Sequence, residues 1–115
     1  MASPQRDHTA NVHLHLRDAR MRTQERDDAQ RAVLAAQEKE RFLSSEVGNN
    51  SSQMAREQKL YDEACSRGAM VEAAQHAEKA RVWEKTLADH SADLEVARAV
   101  LDAAKKRLAD AEAAL

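Results

Sequence analysis

The sequence predicts an all-α fold, an elongated antiparallel three-helix bundle made of a helical hairpin and a folded-back third helix. Three observations carry that expectation. Ala, Glu, Lys, Leu, Arg and Gln dominate the chain, a bias of long helices packed side by side, because these side chains lose little freedom in a helix. Pro4 is the only proline, and Gly48 and Gly68 are the only glycines. The one clustered interruption, Gly48-Asn49-Asn50-Ser51-Ser52, is therefore where backbone freedom for a reversal is expected.

Taken in order, residues 1–10 are polar, carry Pro4 and read as a loose lead-in to a single helical domain over 11–115, with Thr9 or Asn11 as the first cap. Helix one is expected at about 11–47. Leu16, Ala19, Thr23, Gln30, Val33, Ala36, Leu43 and Val47 fall near one stripe at spacings of three, four or seven. Between Arg22 and Asp28 no bulky apolar residue occurs, so hydrogen bonds and ion pairs must join the helices there. The turn follows at 48–52. Helix two is expected at about 53–88, capped by Ser51 or Ser52, with Met54, Tyr61, Ala64, Val71, Ala74 and Ala77 facing inward. Gly68 would mark a kink or a close helix approach within it, a true break being the alternative.

Helix three is expected at about 91–114. Leu94, Ala97, Leu101, Ala104, Leu108, Ala111 and Leu115 keep an unbroken three-four spacing, and the same register extends back through His90, Leu87, Trp83 and Ala80. That continuity speaks for one uninterrupted helix. Geometry speaks for a fold-back: helices rise about 1.5 Å per residue, so with a reversal near Asn50 the arms match only to about residue 88, and an extension of about 40 Å would leave the best apolar seam uncovered unless a second molecule packed on it. Asp89, His90 and Ser91 supply cap candidates for the third helix, and Asp93 and Glu95 suit its first turn.

Composition bounds function as well as fold. With 24 alanines and three aromatics in 115 residues, the core must be thin. A net charge of -2 with acids and bases interleaved provides no basic stripe for phosphates, so no nucleic-acid partner is expected. No apolar run reaches the length of a membrane span or a secretory leader, which points to no membrane partner and a cytoplasmic location. Cys65 is the only cysteine, as a reducing compartment permits, and is expected to act as a small buried hydrophobe.

Chemistry-bearing constellations are sparse. His13 and His15, two apart on a helix, point to different faces and are expected on the surface. Glu72 and His76 share a face, but a bundle metal site needs such groups converging from several helices, and no Glu-x-x-His repeat occurs, so no metal is expected. His76 and His90 read instead as polar interruptions of a seam that fix register. Neither serine nor Cys65 has a nucleophile elbow, base or oxyanion loop around it, and two distant glycines cannot build a phosphate cradle. The chain is not expected to be an enzyme or to hold a cofactor. Phe42, Tyr61 and Trp83 are read as core residues, with partner anchoring as the alternative.

Several short segments carry a resemblance. Val12-His13-Leu14-His15 is an apolar-basic-apolar-basic opening; Gln24-Glu25-Arg26, Gln37-Glu38-Lys39 and Arg56-Glu57-Gln58 follow in order; and Ala97-Arg98-Ala99-Val100-Leu101-Asp102 with Lys105 lies near the end. In that order they resemble the tubulin-binding cofactor A family, over about residues 11–105. Length, the hairpin position and the Met-Ala-x-Pro start are similar too. The family's early Thr-Gly, its Tyr-Asp before helix two and its helix-two proline are missing, with Gln53-Met54 in place of the Tyr-Asp.

The resemblance implies a cytoplasmic, cytoskeleton-associated folding cofactor that captures β-tubulin released by the cytosolic chaperonin, by stoichiometric binding without nucleotide or metal, as monomer or homodimer. Other tubulin-folding cofactors would be further partners. Glu25, Arg26, Glu38, Lys39, Arg56, Glu57 and Arg98 would contribute orientation and encounter rate, and apolar neighbours most of the affinity. Two readings of other kinds stand beside it. One is a coiled-coil stalk or adaptor, like the small export proteins of bacterial secretion systems whose hairpin enters an ATPase ring, which predicts two helices. The other is a structural coiled-coil dimer zipped along residues 94–115.

Overall fold

A computed structural model describes residues 4–115, with side chains described from Val12 onward. Among the described residues there are two helices and no strand: α1 spans Pro4–Ser66 and α2 spans Met70–Ala113. The all-α expectation and the helical hairpin hold. The reversal, however, lies at Arg67–Ala69.

This corrects the expected turn at 48–52, where the chain is helical throughout. A glycine costs a helix interior about 1 kcal/mol relative to alanine, and Asn and Ser are weak rather than prohibitive helix residues. Tertiary contact offsets that cost: Asn50, only 1% exposed, is hydrogen-bonded through its side-chain amide to His90 Nδ1 on α2. Gly48 has open space where a Cβ would stand and keeps an ordinary helical backbone. Its glycine character is not used.

At Gly68 it is. The backbone there is left-handed, φ 73°, a conformation that side chains with a Cβ resist. Ala69 N donates to Ala64 O at 2.9 Å and Gly68 N to Cys65 O at 3.1 Å. These are the paired 6→1 and 5→2 bonds that satisfy the last carbonyls of a helix ending in a Schellman motif. Ala73 N then donates to Ala69 O at 2.9 Å, starting α2. Arg67 and Glu72 bridge the turn at 2.7 Å, and Glu72 stands in the first turn of α2, where a carboxylate suits the helix dipole.

The other boundaries move accordingly. Helix two of the expectation does not stop near 88, and Asp89, His90 and Ser91 are interior residues of α2. A third helix beginning at 91 is therefore not among the described elements. The unbroken register noted across that point was the stronger signal, since a helix whose apolar spacing never slips has no local reason to end. Residues 4–10 of the expected lead-in belong to α1; residues 1–3 lie outside the described ones.

Contacts divide the chain into two compact units. The hairpin unit, residues 38–99, contains the turn. Its α1 and α2 segments run antiparallel, with Leu43, Leu94 and Ala97 forming a buried cluster on which Val47 packs. Ala64 and Ala73 are buried beside the turn. The split unit is built from residues up to Gln37 together with Val100–Leu115. There Val33, Ala36 and Ala104 form the buried cluster, with Ala32, Leu101 and Leu108 against it.

Six of the seven buried residues described on α1, Ala29, Ala36, Leu43, Asn50, Glu57 and Ala64, recur at intervals of seven, and Val33 stands beside them. On α2 the expected seam residues Leu94, Ala97, Ala104 and Ala111 are buried, and Ala80, Trp83, Leu87, His90, Leu101 and Leu108 half-buried, whereas Leu115, also expected in the seam, is exposed and lies beyond the helix end. Such heptad spacing keeps one seam facing its partner helix. Of the inward residues expected early in helix two, Ala64 is buried and Met54 and Ala77 half-buried, whereas Tyr61, Val71 and Ala74 are exposed. They were placed by a turn that lies elsewhere.

Candidate functional site

The side chains available for function are those the seams leave over, together with the polar groups the seams enclose. In the hairpin unit two polar layers replace apolar ones. Glu57 is buried, and its Oε2 lies 2.6 Å from His76 Nδ1. One heptad along α1, Asn50 meets His90. His76 and His90 thus stand in the seam as the sequence suggests. Burying such groups is tolerated because each is hydrogen-bonded, and a polar pair at one layer disfavours other registers.

The seven residues proposed as binding positions are divided between the two units. In the split unit, Glu25 is exposed and takes a two-pronged contact from Arg107, Nε to Oε1 at 2.7 Å and Nη2 to Oε2 at 3.1 Å. The hydrogen bond from Arg107, and then its charge, hold the Glu25 carboxyl below the usual carboxylate range; Glu25 in turn raises Arg107. Arg26 is half-buried and pairs with its neighbour Asp27 at 3.3 Å. Asp28 accepts from Arg31 at 2.7 Å and Gln24 at 2.9 Å, which lowers its pKa in that order of cause. Of these pairs only Glu25–Arg107 joins the two helices, as expected for the polar stretch Arg22 to Asp28; the others lie within α1.

In the hairpin unit, Glu38, Lys39 and Arg56 are exposed, and Arg98 reaches Glu40 across the seam at 3.5 Å. Glu57 differs from the rest. It belongs to the seam, a role that sequence reasoning missed although Glu57 continues the series Leu43, Asn50 at intervals of seven. Charge reversal there would disturb packing as well as any partner contact.

Cys65 is free and exposed, not the buried hydrophobe expected. One turn before it on α1 stands Tyr61, whose phenol's pKa is pushed up chiefly by its neighbour Cys65. The core reading of the aromatics also fails for two of three. Phe42 is 61% exposed and Tyr61 is exposed, while Trp83 is half-buried beside Val82 in a shallow groove on α2. A helix with a seam of mostly small residues has no layer wide enough for every ring.

His13 and His15 are exposed, as expected. Among the described residues no group of three or more His, Cys, Asp or Glu side chains is placed to hold a metal ion. Glu72 and His76, the one helical pair of that kind, turn to Arg67 and Glu57 respectively. No helix of the described residues is long and apolar enough to cross a membrane.

Known proteins add nothing to this geometry. Comparison with family models, curated proteins and solved structures returned no match. The reading of function therefore rests on the seams, on the exposed faces and on the short segments quoted from the sequence. Among those faces, the hairpin unit exposes Phe42, Met70, Val71, Val82 and Val96, and the split unit exposes Val12, Leu16, Met21 and Leu34.

Proposed function

We propose that this protein is a helical-hairpin adaptor that acts by stoichiometric protein binding, of the kind that stands as a coiled-coil stalk in a secretion-type ATPase. One observation carries the reading: among the described residues the chain turns once, at Arg67–Ala69, between two helices joined along heptad seams. A two-helix hairpin is what the stalk reading requires and what a three-helix cofactor does not. The scattered apolar residues outside the seams provide contact area, and the interleaved charges provide orientation. No catalysis by the chain is part of the proposal.

The test is co-elution of the purified chain with a hexameric secretion ATPase, read together with the hydrolysis rate. A complex at micromolar protein with an altered rate is expected; a chain that elutes alone and leaves the rate unchanged would sink the stalk reading.

Capture of β-tubulin is the second reading. It is favoured by the order of the segments around Glu25, Glu38, Arg56 and Arg98. The position of the hairpin no longer supports it, since the reversal stands at Gly68 rather than at 48–52. A pull-down comparing β-tubulin, α-tubulin and the intact heterodimer decides it: selective retention of β-tubulin is required.

A further inference from the structure

We infer that the α1 segment from Val12 to Gln24 is a docking surface for an amphipathic helix of another protein whose apolar stripe is flanked by Asp and Glu. This rests on the protein-binding reading above and names the surface and the chemistry of its partner. Every side chain from Val12 to Glu25 is exposed. Yet the segment carries a stripe: Val12, Leu16, Ala19 and Thr23 follow at spacings of four, three and four and so share one face. Val12 and Leu16 are 43% and 52% exposed on it. The Thr23 hydroxyl already donates to the Ala19 carbonyl at 3.0 Å, so the stripe needs no polar partner at that position.

Two observations decide the occupant. The first is continuity. At intervals of seven, Val12 and Ala19 lead through Arg26 to Val33, which is buried with Ala104 in the split unit's cluster, whereas Gln30, seven beyond Thr23, is exposed. The face that binds a helix at Val33 thus carries Val12 and Ala19 in the same register, and the buried series of Ala36 and Ala29 continues beside them as Arg22 and His15. The second is charge. At 100° per residue, His13 and Arg20 fall on one side of the stripe and His15 and Arg22 on the other, with Arg17 farther round. The segment holds three arginines against the single acid Asp18, while the whole chain is net negative at -2.

Flanking arginines on both sides select acidic flanks in the partner, as charges beside a helical seam do. They oppose pairing of this segment with its own copy, because like charges would face one another. The stripe is also narrow, with Ala19 and Thr23 as half its members, whereas Leu14 and Met21 lie on the opposite side of the helix. Lipid binding needs one broad apolar face. A helix seam does not.

The experiment uses the full chain and two labelled synthetic helices, each with Leu and Ala in its heptad seam, one flanked by Glu and the other by Lys. Fluorescence anisotropy should show binding of the Glu-flanked helix, weakening as salt rises from about 50 mM to about 500 mM. The triple variant Arg17→Glu/Arg20→Glu/Arg22→Glu should weaken it by roughly tenfold or more, and Leu16→Asp should weaken it too, with both variants keeping the parent's circular dichroism and melting midpoint. No binding, equal binding of the Lys-flanked helix, or indifference to the variants would overturn the proposal. So would binding to phosphatidylcholine–phosphatidylserine vesicles that the triple variant abolishes while the helix is ignored, or a dimer in sedimentation that Leu16→Asp dissociates. Co-elution with the ATPase that survives both substitutions would leave the stalk reading standing and remove this surface from it.

Discussion

The two units use different means to hold the same pair of helices. In the split unit the buried layer is apolar, Val33 and Ala36 against Ala104, and the polar link is outside it, in the exposed Glu25–Arg107 pair. In the hairpin unit the polar links are inside, Asn50 with His90 and Glu57 with His76, beside the Leu43, Leu94 and Ala97 cluster. An apolar layer of small residues attracts without specifying which residue faces which. A buried hydrogen-bonded pair specifies a register at some cost in stability. The difference places register selection near the turn, where a slip would otherwise be shortest in sequence and easiest to make.

The contrast is broken most severely at Glu57. Glu57→Ala should destabilise the protein by about 1–3 kcal/mol, because it strands His76 in the seam. Replacing both partners, Glu57→Leu with His76→Leu, should recover most of that loss and add dimers or other registers, as an apolar layer no longer discriminates. Urea unfolding and sedimentation velocity read the two effects. Arg107→Gln in the split unit, which removes only an exposed pair, should leave stability within about 0.5 kcal/mol of the parent.

The two glycines sharpen the comparison next. Gly68→Ala forces a Cβ into a left-handed position and should cost about 1–2 kcal/mol. Gly48→Ala, in open helical surroundings, should instead stabilise by about 0.5–1 kcal/mol. Thermal melts of the pair should therefore move in opposite directions. The same substitution is a helix break at one site and a helix improvement at the other.

The smallest effect belongs to Glu25. Its pKa is lowered in the folded state, chiefly by the Arg107 hydrogen bond, so its contribution is present above the ordinary carboxylate pKa and lost as pH falls through the lowered value. An NMR titration should find the Glu25 carboxyl below the usual carboxylate range. Arg107→Gln should return it there.

Much of this was legible in the chain. The helical class follows from composition, and the α2 seam from Ala80 to Ala111 follows from spacing alone. The turn did not follow, because weak helix residues in a cluster look more disruptive than one glycine, while the geometry of a reversal is decided at a single left-handed position. Asn50 was the misleading residue: its local preference favours a turn, and its partner, forty positions later in the sequence, holds it in a helix. Glu57 was misread for a related reason. A charged residue suggests solvent until its seam partner is known, and only its place seven beyond Asn50 hinted otherwise. The start of α1's weak stripe, Leu16, Ala19, Thr23 and Gln30, was visible in the sequence, but that all four are exposed required the structure.

The central claim, a single reversal at Gly68 with one seam through residue 50, is tested most directly by disulfide trapping in a Cys65→Ser background. Glu57→Cys with His76→Cys joins positions whose present side chains touch at 2.6 Å across the hairpin. Leu43→Cys with Glu57→Cys joins positions that a turn at 48–52 would place opposite each other, but which stand about 21 Å apart along one helix here. Mild oxidation should close the first pair rapidly within the monomer and leave the second open, since Cα atoms farther apart than about 7 Å cannot be bridged. Closure of the second pair with the first left open would contradict the account.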